Sequence, residues 1–404
     1  MRRVVVTGVG STNALGVGVS AFLDGLRAAR CGIGPVRCFS TAGYRSTIGA
    51  EVHDLAPPAW LARSTARHAS RTDLLALIAA HEAFTTAGWA SGPPAGLGVG
   101  VVLGTTTGGM FGGEEYYRRV LLHEPTGSPT AVLALPVSAC ADVLSNTFRC
   151  AGPRSTVSTA CSSGANALGL AADWIRQDQA ETVLCGGVDS LCRMTYSGFN
   201  ALQALDAVPC RPFDRDRAGL TLGEGAALFV VEALDRARAR GATIYAELRG
   251  YGNSADAYHI TQGRPDGAGI LLAMRRALAD AGVDAAAIDY VNAHGTGTPS
   301  NDVLETRALK ALFGPRAYAI PVSSTKSMVG HCLAAAGAIE ALACILALRH
   351  GFVPATATLE TPDPECDLDY VPRASRALAV GTVMSNSYGF GGNNTSLILG
   401  AVDG

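Results

Sequence analysis

One thiol and two imidazoles stand out in this chain. Cys161 lies in Val157-Ser158-Thr159-Ala160-Cys161-Ser162-Ser163-Gly164, where a β-rich stretch passes directly into an alanine- and leucine-rich helix. A thiol at a helix N-terminus faces unpaired backbone N–H groups and the positive end of the macrodipole, and both favour thiolate. Small neighbours leave room for a carbonyl to approach, as at a strand-to-helix nucleophile turn. Cys185 and Cys344 sit inside apolar runs and read instead as core thiols.

His294 ends the apolar run Asp289-Tyr290-Val291-Asn292-Ala293 and opens Gly295-Thr296-Gly297-Thr298. A loop of small residues lets a ligand come close, so Thr296 and Thr298 are candidate substrate contacts. Asp302 and Glu305 follow three residues apart on one helix face. Capping charge for that helix is the competing reading. His331 ends Ser323-Ser324-Thr325-Lys326-Ser327-Met328-Val329-Gly330, again between a strand and an apolar helix. Lys326 is either a solvated loop residue or a cation that holds a carboxylate and biases protonation nearby. A Cys-His-His zinc set lacks any short-spaced ligand pair, and no metal is expected.

Near the C-terminus, Asn386-Ser387-Tyr388-Gly389-Phe390-Gly391-Gly392-Asn393-Asn394 follows a strand. It is a turn between strands or half of an oxyanion hole completed by the Cys161 N–H, with Phe390 and Gly391 at the substrate. It has no phosphate-cradling pattern. Arg63, Arg67 and Arg71, with His68 beside them, are spaced i, i+4 and i+8, which on one helix places the three arginines on one face.

Ten strands are predicted, at 3–7, 98–103, 155–160, 181–186, 226–232, 243–251, 288–293, 318–323, 381–387 and 395–400. Seven helices are predicted, at 17–29, 72–87, 129–149, 163–178, 267–282, 301–313 and 333–349. The alternation implies an α/β fold with a largely parallel, buried sheet. The order strand, glycine turn, helix recurs after about residue 250 and hints at duplicated halves. Residues 104–135 and 190–225 read as loops or caps.

The 404 residues include 48% hydrophobic and 16% charged side chains with a net charge of −2, which excludes global recruitment of nucleic acid or membrane surface. No 18-residue apolar run is free of charge or turn residues, so no transmembrane helix is expected. The eleven cysteines include no C-x-x-C pair, which fits free thiols in a reducing cytoplasm.

Several motifs in order resemble the elongating β-ketoacyl-[acyl carrier protein] synthases of type II fatty acid and polyketide systems, essentially end to end. They are Arg3-Val4-Val5-Val6-Thr7-Gly8, Thr159-Ala160-Cys161-Ser162-Ser163-Gly164, Arg211-Pro212-Phe213-Asp214 with Gly223-Glu224-Gly225-Ala226, and the three segments around His294, His331 and Phe390. The resemblance implies a thiolase-like fold with a five-layered αβαβα core. The nucleophile half would be 1–250 and the histidine half 251–404. It implies Cys161 as nucleophile, His294 and His331 as its imidazoles, and Lys326, Glu305 and Asp302 as supporting charges. Phe390 would supply an oxyanion N–H and a gating side chain. The implied reaction needs no cofactor: acyl transfer to Cys161, decarboxylation of a malonyl carrier, and Claisen condensation. The implied partners are an acyl carrier protein, docked on the Arg63–Arg71 segment, and a second subunit, either a copy of this chain or a chain-length-factor-like protein.

The motifs depart from the family where Tyr388 replaces Phe, Asn393 replaces Thr, and Thr107 replaces a bulky aliphatic residue. The last suggests a smaller, more polar acyl pocket and a polyketide, polyene or specialised fatty acid substrate, with housekeeping elongation as the alternative. An initiating synthase would carry Cys-His-Asn, and a degradative thiolase a second catalytic cysteine; His331 opposes both. A non-catalytic acyl-binding partner is a further alternative, opposed by the intact Cys161.

Overall fold

The computed structural model describes residues 2–90, 92–127 and 129–402. Among the described residues the main sheet has eleven strands, and ten of them run side by side across it. They are β1 (Val4–Asn13), β2 (Gly100–Gly104), β3 (Arg154–Val157), β4 (Thr182–Asp189), β5 (Gly225–Ala233), β6 (Ala246–Ala255), β7 (Tyr290–Asn292), β8 (Val322–Ser323), β9 (Thr382–Gly389) and β10 (Asn393–Gly400). The eleventh, a short arm at Gly16–Val17, folds back antiparallel on the end of β1. Every one of the ten predicted strands overlaps one of these.

The strand order is β8-β7-β9-β10-β6-β1-β5-β4-β2-β3. Within β1–β5 the spatial order is 3-2-4-5-1, and within β6–β10 it is the same. In each set β2 or β7 runs parallel to both its neighbours, and the remaining pairs are antiparallel. The sets join where Val4–Val6 pair antiparallel with Leu248–Ala246. The sheet is therefore mixed rather than largely parallel, because β10 returns on β9 after a three-residue turn. The second set opens with β6, so the division at 250/251 expected from sequence falls inside that strand.

Eight helices matter for the site: α1 (Arg71–Thr86), α2 (Met110–Leu121), α3 (Ala139–Phe148), α4 (Ser163–Arg176), α5 (Arg193–Ala201), α6 (Ala268–Ala281), α7 (Pro299–Phe313) and α8 (Ala336–His350). α4 and α8 pack on each other and on strands of both sets, while α1 and α6 cover the two outer faces. This is the five-layered αβαβα arrangement of the thiolase-like fold. Close approach of the central layer requires glycine: a Cβ on Gly164 would stand 2.7 Å from the Ala334 carbonyl oxygen.

α8 shows what that layer demands. Ala336 to Ala347 are all buried, including Ile339, Leu342, Ile345 and Leu346. Each such aliphatic contributes about 1.5–3 kcal/mol when removed from water. The segment Leu333–His350 is long and apolar enough to cross a membrane, with mean hydropathy 1.5, but it carries Glu340 and Arg349 and 83% of it is buried inside the protein. A helix faced by sheets on two sides has no polar stripe to show.

Four segments differ from the sequence reading. α2 and α5 lie within stretches expected as loops, where glycine, threonine and arginine masked their periodicity. The helix expected over 129–149 is a 3-10 turn at Pro129–Ala134 followed by α3, broken around Pro136. The segment carrying Arg63, Arg67 and Arg71 is two helices. Arg63–His68 ends at Ala69, which is extended, and Ser70 then starts α1 with a capping box to Asp73.

Candidate active site

Cys161 follows β3 and precedes α4. The turn between them places Ala160 in the left-handed region at φ 52°, a conformation that costs a non-glycine residue about 1–2 kcal/mol. Hydroxyls brace it: Ser163 donates to the Ala160 carbonyl at 2.6 Å and accepts from the Thr159 N–H at 2.9 Å. The glycine loop closes over the turn. A Cβ on Gly389 would lie 3.0 Å from both the Cys161 nitrogen and the Thr159 oxygen. The Phe390 N–H points at the Cys161 sulfur, and the Asn393 amide donates to the Phe390 carbonyl at 2.8 Å, holding this turn.

The resting thiol is not the thiolate that the helix N-terminus suggested. Burial pushes Cys161 up to about 11. The Lys326 ammonium and the Phe390 N–H pull it down, and Asp189 and Glu340 add to the rise. Desolvation of an anion outweighs one helix terminus and a nearby cation here.

His294 leaves the end of β7, and its ring stands edge-on to His331 with centroids 5.4 Å apart. Lys326 lies behind it, 1% exposed. The ammonium donates to His294 Nδ1 at 3.2 Å, to the His294 carbonyl at 2.6 Å and to the Glu340 carboxylate. Three donors therefore meet three acceptors, and none is left to reach solvent. An ammonium can only donate, so Nδ1 must accept and the His294 proton sits on Nε2. His331 reaches the same state by another route. The Leu333 backbone N–H donates to His331 Nδ1 at 3.1 Å, which leaves that proton on Nε2 as well. Burial first, then the Lys326 charge, holds both imidazoles well below their usual value, so both are neutral.

The sequence reading missed Glu340. It is the one acid in the apolar helix α8 and is 2% exposed; a lone carboxylate in such a run was the available signal. Burial pushes its carboxyl up while Lys326 pulls it down. Asp302 and Glu305, on the first turns of α7, do more than complement its dipole. Glu305 accepts from the His294 and Gly295 N–H groups at 2.9 and 2.8 Å. Asp302 accepts from the Phe213 N–H at 2.8 Å and the Gly297 N–H at 3.2 Å. The two carboxylates thus clamp the His294 loop. Burial raises Glu305 to about 7 against those donors.

Cys161, His294 and His331 line one cavity of about 260 Å³ with Thr296, Thr298, Phe390 and Tyr388. The Phe390 ring stacks on Phe199 at 5.4 Å, and the Tyr388 ring meets His294 edge-on at 5.5 Å. Three expected site residues are placed otherwise. Thr107 does not line this cavity; it is buried, and its hydroxyl and N–H both donate to Asp189. Gly391 also lies off the wall, its N–H committed to the Ile260 carbonyl at 2.8 Å. Arg63 and Arg67 are exposed, but Arg71 turns inward to bind the Glu224 carboxylate at 2.8 and 2.5 Å, with Glu224 wholly buried. The capping break at Ser70 is what separates it from the other two. Among the described residues no group of three or more His, Cys, Asp and Glu side chains is placed to hold a metal ion.

Both halves match known families: the β-ketoacyl synthase N-terminal domain over residues 1–237 and its C-terminal domain over 245–360. The chain is 40% identical to a 3-oxoacyl-[acyl-carrier-protein] synthase 2 of Synechocystis sp., covering 98% of this chain and 97% of that one. It is also 40% identical to the tetracenomycin polyketide synthase ketoacyl synthase alpha subunit of Streptomyces glaucescens, with coverage of 98% and 97%. Among solved structures, the ishigamide ketosynthase/chain length factor superposes with a TM-score of 0.93 at 37% identity, covering 100% of both chains. These relatives match the chain essentially end to end, and with both family domains matched over residues 1–237 and 245–360 the chain belongs to the β-ketoacyl synthase family of condensing enzymes.

Proposed function

We propose that Cys161 accepts an acyl group from an acyl carrier protein and that His294 and His331 drive decarboxylation of a malonyl carrier. In the first half reaction the Cys161 sulfur attacks the acyl thioester carbonyl. The N–H groups of Cys161 and Phe390 receive the developing oxyanion, and the carrier thiol departs with the proton that Cys161 gives up. In the second, the two Nε2–H groups donate to the malonyl thioester oxygen. The bond to the carboxylate breaks, CO2 leaves, and its electron pair becomes the enolate. That carbon attacks the acyl-Cys161 carbonyl, and the sulfur leaves as thiolate and takes up one proton from solvent, giving a β-ketoacyl carrier two carbons longer.

One observation carries this reading: both Nδ1 atoms are occupied by donors, so both Nε2–H groups are free for one substrate oxygen. Lys326, Glu340, Glu305 and Asp302 position these groups. Thr296 and Thr298 contact the substrate arm. The Phe390 side chain gates the cavity, its stacking on Phe199 being the contact to break.

The carrier docks on the exposed Arg63 and Arg67. A second subunit, either a copy or a chain-length-factor-like protein, covers the face where Leu121, Leu122 and Leu133 are 57–73% exposed. The complex named for the ishigamide system favours the heterodimer. The two equally identical relatives leave polyketide and fatty acid pathways both in play, and we favour a type II polyketide or specialised fatty acid role. The set β1–β5 with its helices acts as the nucleophile module and the set β6–β10 with its helices as the histidine module, the boundary lying ahead of β6 rather than at 250/251. The eleven cysteines, all free, support a cytoplasmic site of action. Intact-mass measurement after mixing with acyl carriers tests the assignment: wild type gains one acyl group and Cys161→Ala gains none. Acylation of the alanine variant refutes it.

A further inference from the structure

Asp189 ends β4 wholly buried and is unused in the mechanism above. Its charge is met by six hydrogen bonds. Oδ1 accepts from the Thr105 hydroxyl, the Thr106 N–H, and the Thr107 N–H and hydroxyl, at 2.8–2.9 Å. Oδ2 accepts from the Thr106 hydroxyl at 2.5 Å and the Ala334 N–H at 2.8 Å. The last contact is distinctive, because it crosses from the first half of the fold to the turn that carries His331.

Ala334 N belongs to the peptide that follows Leu333, and Leu333 is left-handed at φ 51°. A leucine does not hold that conformation unaided. Its own N–H, one peptide earlier, is the donor that fixes the His331 tautomer. The carboxylate also sits at the start of the 3-10 turn Leu333–Ala335 that feeds α8, where N–H groups lack partners and a negative charge is favourable.

We propose that Asp189 is a positioning residue for the decarboxylation half reaction: by anchoring the Ala334 N–H it holds Leu333 left-handed, and so keeps His331 Nε2–H aimed into the cavity. This rests on the role proposed for His331. Thr107 and its two neighbours serve the same anchor from the opposite side.

Asp189→Asn is a selective probe. Four donors converge on Oδ1 and two on Oδ2, so the amide oxygen stays on the four-donor side and the NH2 is turned against the Ala334 N–H. Two half reactions of the full-length protein are then compared: acyl transfer to Cys161 by intact mass, and CO2 release from malonyl carrier across pH. CO2 release is expected to fall about ten- to a hundredfold, the loss of one charge-assisted hydrogen bond, with transfer falling far less. His331 is faced by Lys326, His294 and Cys161. With Nδ1 released from Leu333 its pKa rises, so the acid limb of CO2 release moves to higher pH. Asp189→Glu, which keeps the charge but displaces the oxygens by one methylene, is expected to show the same ordering at smaller amplitude. Equal losses in both half reactions with an unmoved acid limb, in whichever variant folds, overturn the proposal. A wild-type protein that neither accepts acyl groups nor releases CO2 overturns the proposed function instead.

Discussion

Replacing Lys326 by Met leaves an unbranched apolar side chain one heavy atom shorter and removes all three of its donors. Two consequences separate cleanly. Glu340 loses its cation while buried; breaking such a pair costs about 3–5 kcal/mol of stability, and the carboxyl responds by taking a proton. His294 loses the donor that forced its tautomer, so Nδ1 is free to hold the proton and Nε2 to present a lone pair to the substrate oxygen. Loss of one oriented donor at a developing oxyanion costs about 2.7–4 kcal/mol, or about 10²–10³ in rate. The pH dependence has a definite sign. Burial and then the Lys326 charge hold His294 below its ordinary value. Without the cation it rises part of the way back, burial still holding it down, and activity that needs the neutral ring is lost at higher pH as the solution is acidified. The double variant Lys326→Met/Glu340→Gln leaves no uncompensated charge, so it recovers stability without recovering catalysis. CO2 release from malonyl carrier between pH 5 and 8, beside thermal melts of wild type and both variants, makes the comparison. A double variant that decarboxylates within about threefold of wild type, or an acid limb that does not move, refutes the role given to Lys326.

Three other outcomes follow from the same geometry. Because Cys161 titrates at about 11, its alkylation by iodoacetamide rises about tenfold per pH unit from pH 6 to 9 with no plateau; a plateau below pH 8 means a resting thiolate. Arg63→Glu with Arg67→Glu raises KM for carrier-bound substrates about three- to tenfold, less at high salt, whereas Arg71→Ala strands the buried Glu224 and lowers Tm instead. Equal KM effects at Arg71 and at the other two contradict this division.

Much of the protein is legible in its sequence because it is local. β-Branched apolar runs bounded by glycine mark each strand, and all ten overlap a strand of the sheet. The positions of Cys161 and His294, each within a few residues of a strand end, and of His331, between a strand and an apolar helix, follow from those runs, and so does the glycine loop at Phe390. Ser70 and Asp73 spell a capping box that already ends any helix shared by Arg63, Arg67 and Arg71; reading only the arginine spacing hid it.

The remainder depends on which residues meet across the fold. Glu340 becomes the partner of Lys326 only when α8 lies between the two halves. Thr107 reads as a pocket wall until Asp189, from β4, takes its hydroxyl. The Cys161 thiol is the clearest case. Its neighbours along the chain, a helix terminus and small polar residues, argue for thiolate, while its neighbours in space bury it and raise its pKa. Hydrogen-bonding patterns of turns and caps are written within a few residues, but desolvation and charge pairing sum over everything packed around a group, and that is decided only by tertiary structure.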